Sequence, residues 1–285
     1  MKEELYLSLR DRTVRKSNNL IFNTHFNLTL QQQKIMFFLT SQINYHDKDF
    51  QEYTFRIVDF CRICDIDTVG GKSYKLLKEA IKTLADKSIW ITRDDGIETL
   101  LRFIEKPEID KKRGVINVRI DKDMKPYLLQ LKKNYTTFEL LYTLRFKHKA
   151  SPRLYELLKA RHFDDLKPYV YVVPIEDLRV LLNADTATYK QYKYFYNVVL
   201  APAIKEINEQ TDLIITYQPR KTGRSITHAE FTIELKPPIE RMQIGDDIDY
   251  TFGNGQLSFA YLTRQRELEK QAKEYEEKKR QGAFE

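Results

Sequence analysis

A chain of 285 residues with 42% hydrophobic and 12% aromatic side chains can bury real cores, and its length suits two domains better than one. The formal charge of +7 and a pI of about 9.1 favour polyanionic partners, nucleic acid ahead of an acidic membrane surface. Two cysteines, Cys61 and Cys64, are too few for a disulfide framework, and no apolar run suits a secretion signal or a membrane span, so the expected location is the cytoplasm.

Residues 1–16 are charged and read as a loose arm. Ser17-Asn18-Asn19 predicts the start of a short helix through Phe22. The segment 29–45 predicts a helix capped by Thr29, with Leu30, Ile35, Phe38, Leu39 and Ile43 on a broad apolar face. A short strand is expected at 53–57, a short helix at 58–64 and a break at Gly70-Gly71. A helix at 73–85 then carries an inner stripe of Tyr74, Leu77, Ile81 and Leu84. Its outer stripe is Lys75, Lys78 and Lys82, extended by Lys72. Strands follow at 88–92 and 97–104 about an Asp94-Asp95-Gly96 turn, then at 115–120, and a helix is expected at 121–131. Lys132-Lys133-Asn134 is the expected boundary between a domain at 1–133 and one at 134–237.

Past that boundary a helical segment at 138–144 leads into R-F-K-H-K-A-S-P-R (145–153), the densest basic cluster in the chain. Ser151-Pro152 predicts a helix start, and that helix should run to about His162. A strand at 169–173 and a short helix at 175–182 precede a long helix at 189–208. Helical spacing puts Tyr192, Phe195 and Val199 on one face of it and Lys190, Lys193, Tyr194 and Asn197 on the other, with Gln191 beside them. Pro202 should kink or split this helix, leaving Ala203, Ile204 and Ile207 as an anchor. Strands at 213–217 and 226–235 flank a basic tip at 219–224. The tail, 238–285, is acidic near Asp246-Asp247-Asp249. It ends in a charged run that reads as solvated or disordered in preference to helical.

The outward groups of 190–197 suit DNA. Lysine neutralises phosphate or donates to guanine, asparagine pairs bidentately with adenine, and tyrosine donates to phosphate oxygens. An ordinary solvated helix face is the competing reading, and the neighbourhood decides between them. Both halves run helix, short strand, short helix, longer helix, strand, turn, strand. I-V-D-F-C-R-I (57–63) matches I-E-D-L-R-V-L (175–181), and A-I-K recurs at 80–82 and 203–205. This is the order of a winged helix, so the expected architecture is α+β with two tandem winged-helix domains. The second helix of each pair enters the major groove and the wing meets a phosphate strand or the minor groove. Base reading falls to Lys190, Gln191, Lys193, Tyr194 and Asn197. Phosphate binding falls to Arg145, Lys147, Lys149, Arg153, Arg220, Lys221 and Arg224. Lys72, Lys75, Lys78 and Lys82 give the first domain an accessory contact, against a purely structural or dimerising role for that domain.

Other signals are refused. Gly70-Gly71-Lys72-Ser73 resembles the end of a P-loop, but Ile66 stands where the first glycine is needed. Cys61-x-x-Cys64 has zinc spacing without a second ligand pair, which favours two semi-buried thiols. The five histidines are scattered and form no His-x-His pair. No catalytic residues, metal or cofactor are expected, nor is a membrane or small-molecule partner.

Four segments carry a resemblance. S-N-N-L-I-F (17–22), L-T-L-Q-Q-Q-K-I-M-F-F-L-T-S-Q-I (28–43), F-K-H-K-A-S-P-R-L-Y-E-L-L-K (146–159) and V-L-A-P-A-I-K-E-I-N-E-Q-T-D-L (199–213) resemble the Rep_3-type plasmid replication initiators over roughly 14–236. The resemblance implies a bacterial DNA-binding protein with two winged helices that binds directly repeated origin sites (iterons) as a monomer and helps open the duplex. It implies the host initiator and replicative helicase as partners, self-association through the first domain, and autorepression as a dimer. Members usually carry more arginines in the reading helix than Y-K-Q-Y-K-Y-F-Y-N (189–197), so the bases contacted do not transfer. A winged-helix transcriptional repressor without an initiator role is the alternative. Tandem against inverted sites would separate the two.

Overall fold

A computed structural model describes residues 12–44, 46–64, 66, 72–93, 95–162, 167–244 and 259–280. The expected break at Gly70-Gly71, residue Asp94 of the predicted turn, the arm before Arg12 and the acidic run at 246–249 lie outside these residues. The chain divides into two compact units, Thr13–Pro152 and one containing Arg153–Glu285.

In the first unit, strand β1 (Thr13–Ser17) pairs antiparallel with β7 (Tyr135–Glu139), Thr13 opposite Glu139. Residues 13–16 are therefore sheet and not a loose arm. Ser17 caps helix α1 (Asn18–Phe22) by accepting from the Leu20 amide. Asn18 fastens this start to the far segment: its amide donates to Asn134 O at 2.7 Å, and its side-chain oxygen accepts from the Thr136 hydroxyl at 2.7 Å. These ties move the domain boundary. Lys132-Lys133-Asn134 has the composition of a linker, but β7 and the helix after it, α6 (Leu140–Leu144), belong to the first unit.

Helix α2 (Leu30–Thr40) opens with a capping box between Thr29 and Gln32. It is buried almost all round, so its polar residues need internal partners. The consecutive residues Gln32, Gln33 and Lys34 find them on three different segments. Gln32 Nε2 donates to the Thr83 hydroxyl and to Ala80 O, Gln33 Nε2 to Lys149 O at 3.0 Å, and Lys34 Nζ to Cys64 O at 3.1 Å. The Q-Q-K of the sequence is thus an internal staple, which binary patterning would have placed outside.

Next come β2 (Glu52–Arg56), α3 (Ile57–Ile63) and α4 (Lys72–Ala85), then β3 (Ser88–Thr92), β4 (Glu98–Arg102), β5 (Ile104–Asp110) and β6 (Val115–Ile120). The main sheet runs β2-β6-β5, while β3 and β4 pair only with each other. The wing of the first unit is therefore the β5–β6 hairpin, not the predicted 88–104 hairpin, which is an insertion between α4 and the wing. The helix expected at 121–131 shrinks to a 3-10 turn (Lys122–Met124) and one helical turn, α5 (Lys125–Leu128). Past it, Gln130 takes a left-handed φ of 51°.

The division between units falls in the first turn of α7 (Ser151–Lys159). The second unit then repeats the first: β8 (Tyr169–Pro174), α8 (Ile175–Leu181), a helix spanning 192–210 that we call α9, and the hairpin β9 (Leu213–Thr222) and β10 (Ser225–Leu235). Its sheet order, β8-β10-β9, is that of β2-β6-β5. Helices α3 and α8 begin on Ile57 and Ile175, the leading isoleucines of the repeated sequence. Pro219 is tolerated within β9 because that strand is an edge. The tail departs from the reading of a solvated run. Past the short α10 (Pro238–Gln243) it forms a long helix, α11 (Phe259–Arg280), which buries Leu268 and accepts at Gln271 from the Arg241 guanidinium.

Candidate nucleic-acid interface

Helix α9 begins at Tyr192, three residues later than expected, after a single 3-10 turn at Ala187–Tyr189. Gln191 at its start makes no side-chain cap. Phe195, Val199, Ala203 and Ile207 are buried, whereas Lys190, Gln191, Lys193, Tyr194 and Asn197 are exposed. The face expected from the spacing is thus presented. One exposed member had no signal from charge or polarity: Val198 is 47% exposed, one turn on from Tyr194 at 53%. An apolar side chain among donors is a group suited to a thymine methyl.

Pro202 does not end the helix. The preceding stretch, Phe195–Leu200, is π-helical, and the Ala201 amide donates back five residues to Tyr196 O. The wider turn absorbs the amide that Pro202 lacks, and Pro202 lies in the first turn of the α-helical continuation, where a missing amide costs least.

Helix and wing are joined by aromatic rings. Tyr192, Tyr196, Tyr217 and Phe231 follow one another at centroid spacings of 6.0, 5.5 and 5.5 Å, and Tyr171 lies on Phe231 at 6.5 Å. The Tyr192 and Tyr217 hydroxyls are 2.6 Å apart. Burial pushes the Tyr217 phenol well above its usual range, with the Tyr192 hydrogen bond adding to it. The wing turns at Gly223, in the left-handed region at φ 63°, and Gly223-Arg224 is its tip. Arg220 and Lys221 lie on the strand leading to it. Arg220, Lys221 and Arg224 are exposed, and Arg220 is ion-paired to Glu230 of the neighbouring strand.

Arg179 of α8 is a positioning residue that the sequence reading passed over. It is buried, pairs with Glu176, donates to Lys190 O at 2.8 Å and stacks its guanidinium 5.4 Å from the Phe195 ring centroid. It therefore fixes both the chain entering α9 and the first fully buried side chain of that helix.

Arg153 is a correction. Its residue is 3% exposed and its guanidinium lies 3.7 Å from the equally buried Glu156, so it is not a surface cation. Arg145, Lys147 and Lys149 belong to the first unit and not to the unit that holds α9. Lys147 and Lys149 are exposed, and Arg145 is half-buried. In that unit Lys72, Lys75, Lys78 and Lys82 are exposed along α4, where buried Leu77, Ile81 and Leu84 form the inner stripe. The reassigned wing adds Lys111, Lys112 and Arg113, three exposed cations on a turn closed by Asp110, whose carboxylate accepts from the amides of Lys112 and Arg113. Their run of charge was visible in the sequence; the strand pairing that makes it a wing tip was not.

The quoted L-Y-E-L-L-K and T-D-L segments meet in the second unit's core. Asp212 accepts from the Tyr155 hydroxyl at 2.8 Å and from Lys159 Nζ at 2.7 Å. Burial alone would raise the Asp212 carboxyl, but Lys159 and the two hydrogen bonds outweigh it and hold the group below its usual range. Cys61 and Cys64 are fully buried, deeper than expected, and burial pushes the Cys64 thiol up to about 12. Among the described residues no cluster of histidine, cysteine, aspartate or glutamate is placed to hold a metal, and no helix is long and apolar enough to cross a membrane.

Comparison with known proteins places this geometry. Residues 13–159 match the family described as initiator replication protein, WH1, and residues 174–233 match initiator Rep protein, WH2. The PI protein of Escherichia coli is 24% identical over 263 residues, covering 81% of this chain and 86% of its own. The crystal structure of Pi initiator protein in complex with iteron DNA superimposes with a TM-score of 0.66 at 21% identity, covering 80% of this chain and 98% of that one.

Proposed function

The chain belongs to the initiator Rep protein family, and from that membership and the geometry of its second winged helix we propose that it is a sequence-specific duplex-DNA-binding plasmid replication initiator that occupies directly repeated origin sites. The observation that carries this is the exposed face of α9. Lys190, Gln191, Lys193, Tyr194, Asn197 and Val198 present donors, an amide and an apolar group at the uncapped half of a helix braced by a wing with Arg220, Lys221 and Arg224. A groove-reading helix needs that mixture, because phosphate contacts position and base-edge contacts specify. The Pi initiator protein, whose fold the chain shares, was crystallised with iteron DNA, which supports the repeat as the target class.

The mechanism is energetic and needs no catalytic residue. Copies on adjacent repeats neutralise phosphates, bend the duplex and make a flanking A·T-rich segment easier to melt. The first unit contributes accessory backbone contacts through Lys72, Lys75, Lys78, Lys82 and the Lys111–Lys112–Arg113 wing tip, together with Arg145, Lys147 and Lys149. Family resemblance extends the proposal to self-association through the first unit, with the dimer repressing its own promoter, and to the host initiator and replicative helicase as partners in the bacterial cytoplasm. Selection from a random duplex pool at moderate salt, followed by footprinting upstream of the coding region, tests the reading. A motif of about two helical turns recurring in tandem is expected. A lone inverted repeat would make the chain a repressor, and no enrichment would withdraw sequence-specific binding.

A further inference from the structure

Lys87 lies two residues past the end of α4, and Lys149 lies far from it in sequence, yet both ammonium groups end on one residue. Lys87 Nζ donates to Asn27 O and, at 2.9 Å, to Gln32 Oε1; Lys149 Nζ donates to Asn27 Oδ1 at 2.8 Å. Every partner is neutral. No carboxylate among the described residues ion-pairs with either lysine. Two like charges brought together without a counter-charge are unfavourable, the more so because Lys87 is half-buried. Partial burial holds both below the ordinary lysine range, and for Lys87 the neighbouring Lys149 adds to it.

The arrangement is also built and not incidental. Gln32 belongs to the capping box of α2 and is locked by Thr83 and Ala80 O, so the acceptor it offers Lys87 is fixed. Gln33 donates to the backbone carbonyl of Lys149 and fixes that end. Asn27 is exposed, as is Lys149, so the pair faces solvent. A preorganised two-cation site with an open side needs a multi-oxygen anion to complete it.

We propose that Lys87 and Lys149, set by Asn27, form a grip for a single phosphate of the DNA backbone, separate from the α4 stripe and the wing tip. It rests on the reading of the chain as a duplex-DNA binder.

The test uses the full-length protein on random-sequence duplex across a range of salt concentrations, with wild type, Lys87→Met, Lys149→Met, the double variant and Lys87→Arg. The double variant should lower the log–log salt slope by about 0.9, the count for one phosphate, and each Met variant by part of that, with Lys87→Arg keeping the wild-type slope. In DNA-free, phosphate-free buffer the Met variants should melt at or above the wild-type temperature, because a repulsion is relieved. Unchanged slopes in a wild type that binds DNA would overturn the grip and leave the DNA reading standing. No salt-dependent binding by wild type would overturn both. A rise in melting temperature with inorganic phosphate, lost in Lys87→Met while the DNA slopes stay unchanged, would reassign the site to free phosphate and overturn the backbone assignment.

Discussion

The Tyr192 and Tyr217 hydroxyl oxygens lie 2.6 Å apart, and this one bond links the first turn of α9 to the wing strand β9. Around it the rings of Tyr192, Tyr196 and Tyr217 stack, so helix and wing form one packed body and not two appendages. Tyr217→Phe removes the hydroxyl and keeps the ring, and should lower stability by about 1 kcal/mol. Tyr217→Ala also removes the stacking, and should cost about 3–5 kcal/mol. Urea unfolding of both variants checks this. Equal losses would mean that the hydroxyl pair, not the ring stack, holds the wing.

Arg179 predicts a different signature. It touches the backbone carbonyl of Lys190 and the ring of Phe195 from inside, so it orients reading groups without presenting one. Arg179→Lys keeps the charge but loses the planar fork that serves Glu176, Lys190 O and the ring together, and should behave nearly as badly as Arg179→Ala. Affinity for the selected site should fall about tenfold or more, while the salt slope on random DNA stays that of wild type, since no phosphate contact is lost. A reduced slope would put Arg179 on the backbone.

The second winged helix is legible in the sequence because its signals are local. Tyr192, Phe195 and Val199 alternate with Lys193, Tyr194 and Asn197 at helical spacing, and Pro219 through Arg224 marks a turn. The first is less so, because its decisive facts are pairings. Ser88–Thr92 and Glu98–Arg102 form a hairpin of good strand composition with exposed Trp90 opposite exposed Leu100, and nothing local says that β6 pairs instead with β2 and β5. The boundary at Lys132-Lys133-Asn134 fails for the same reason: Thr13 opposite Glu139 is a long-range fact. Arg153 reads as a surface phosphate contact until tertiary packing covers it together with Glu156, three residues on. Pro202 announces a disturbance correctly, but the amount of extra turn needed to absorb it depends on the packing of Phe195, Val199 and Leu200.

The two wings should separate by experiment. Arg220→Ala, Lys221→Ala and Arg224→Ala in the second unit, and Lys111→Ala, Lys112→Ala and Arg113→Ala in the first, leave the sheets intact, because all six side chains are exposed near hairpin tips. Each cation that meets a phosphate should reduce the salt slope by about 0.9 when removed, and weaken specific and random DNA alike. Lys193→Ala and Val198→Ser should instead relax discrimination at one or two positions, by about 1–3 kcal/mol where a full base contact is lost. Wing variants that altered the selected motif would move base reading from helix to wing.

Asp212 makes stability depend on acid. Its carboxylate is buried between Tyr155 and Lys159, and its folded-state pKa lies below the unfolded value of about 3.9. The unfolded chain therefore takes up a proton more readily than the folded one as pH falls. The stabilisation is fully present above the unfolded value and is lost as pH drops through the folded one. Asp212→Asn retains an acceptor for Tyr155 but leaves Lys159 without its counter-charge, and should cost about 3 kcal/mol at pH 7. As pH falls from about 4 through the folded-state value, the gap between wild type and variant should narrow and then close, because protonated wild type becomes the variant's chemical analogue. Melting temperatures from pH 2 to pH 7 measure this. Curves that stayed parallel across that range would show that Asp212 is not held as a carboxylate, and would remove the ion pair with Lys159 as the tie between α7 and the start of β9.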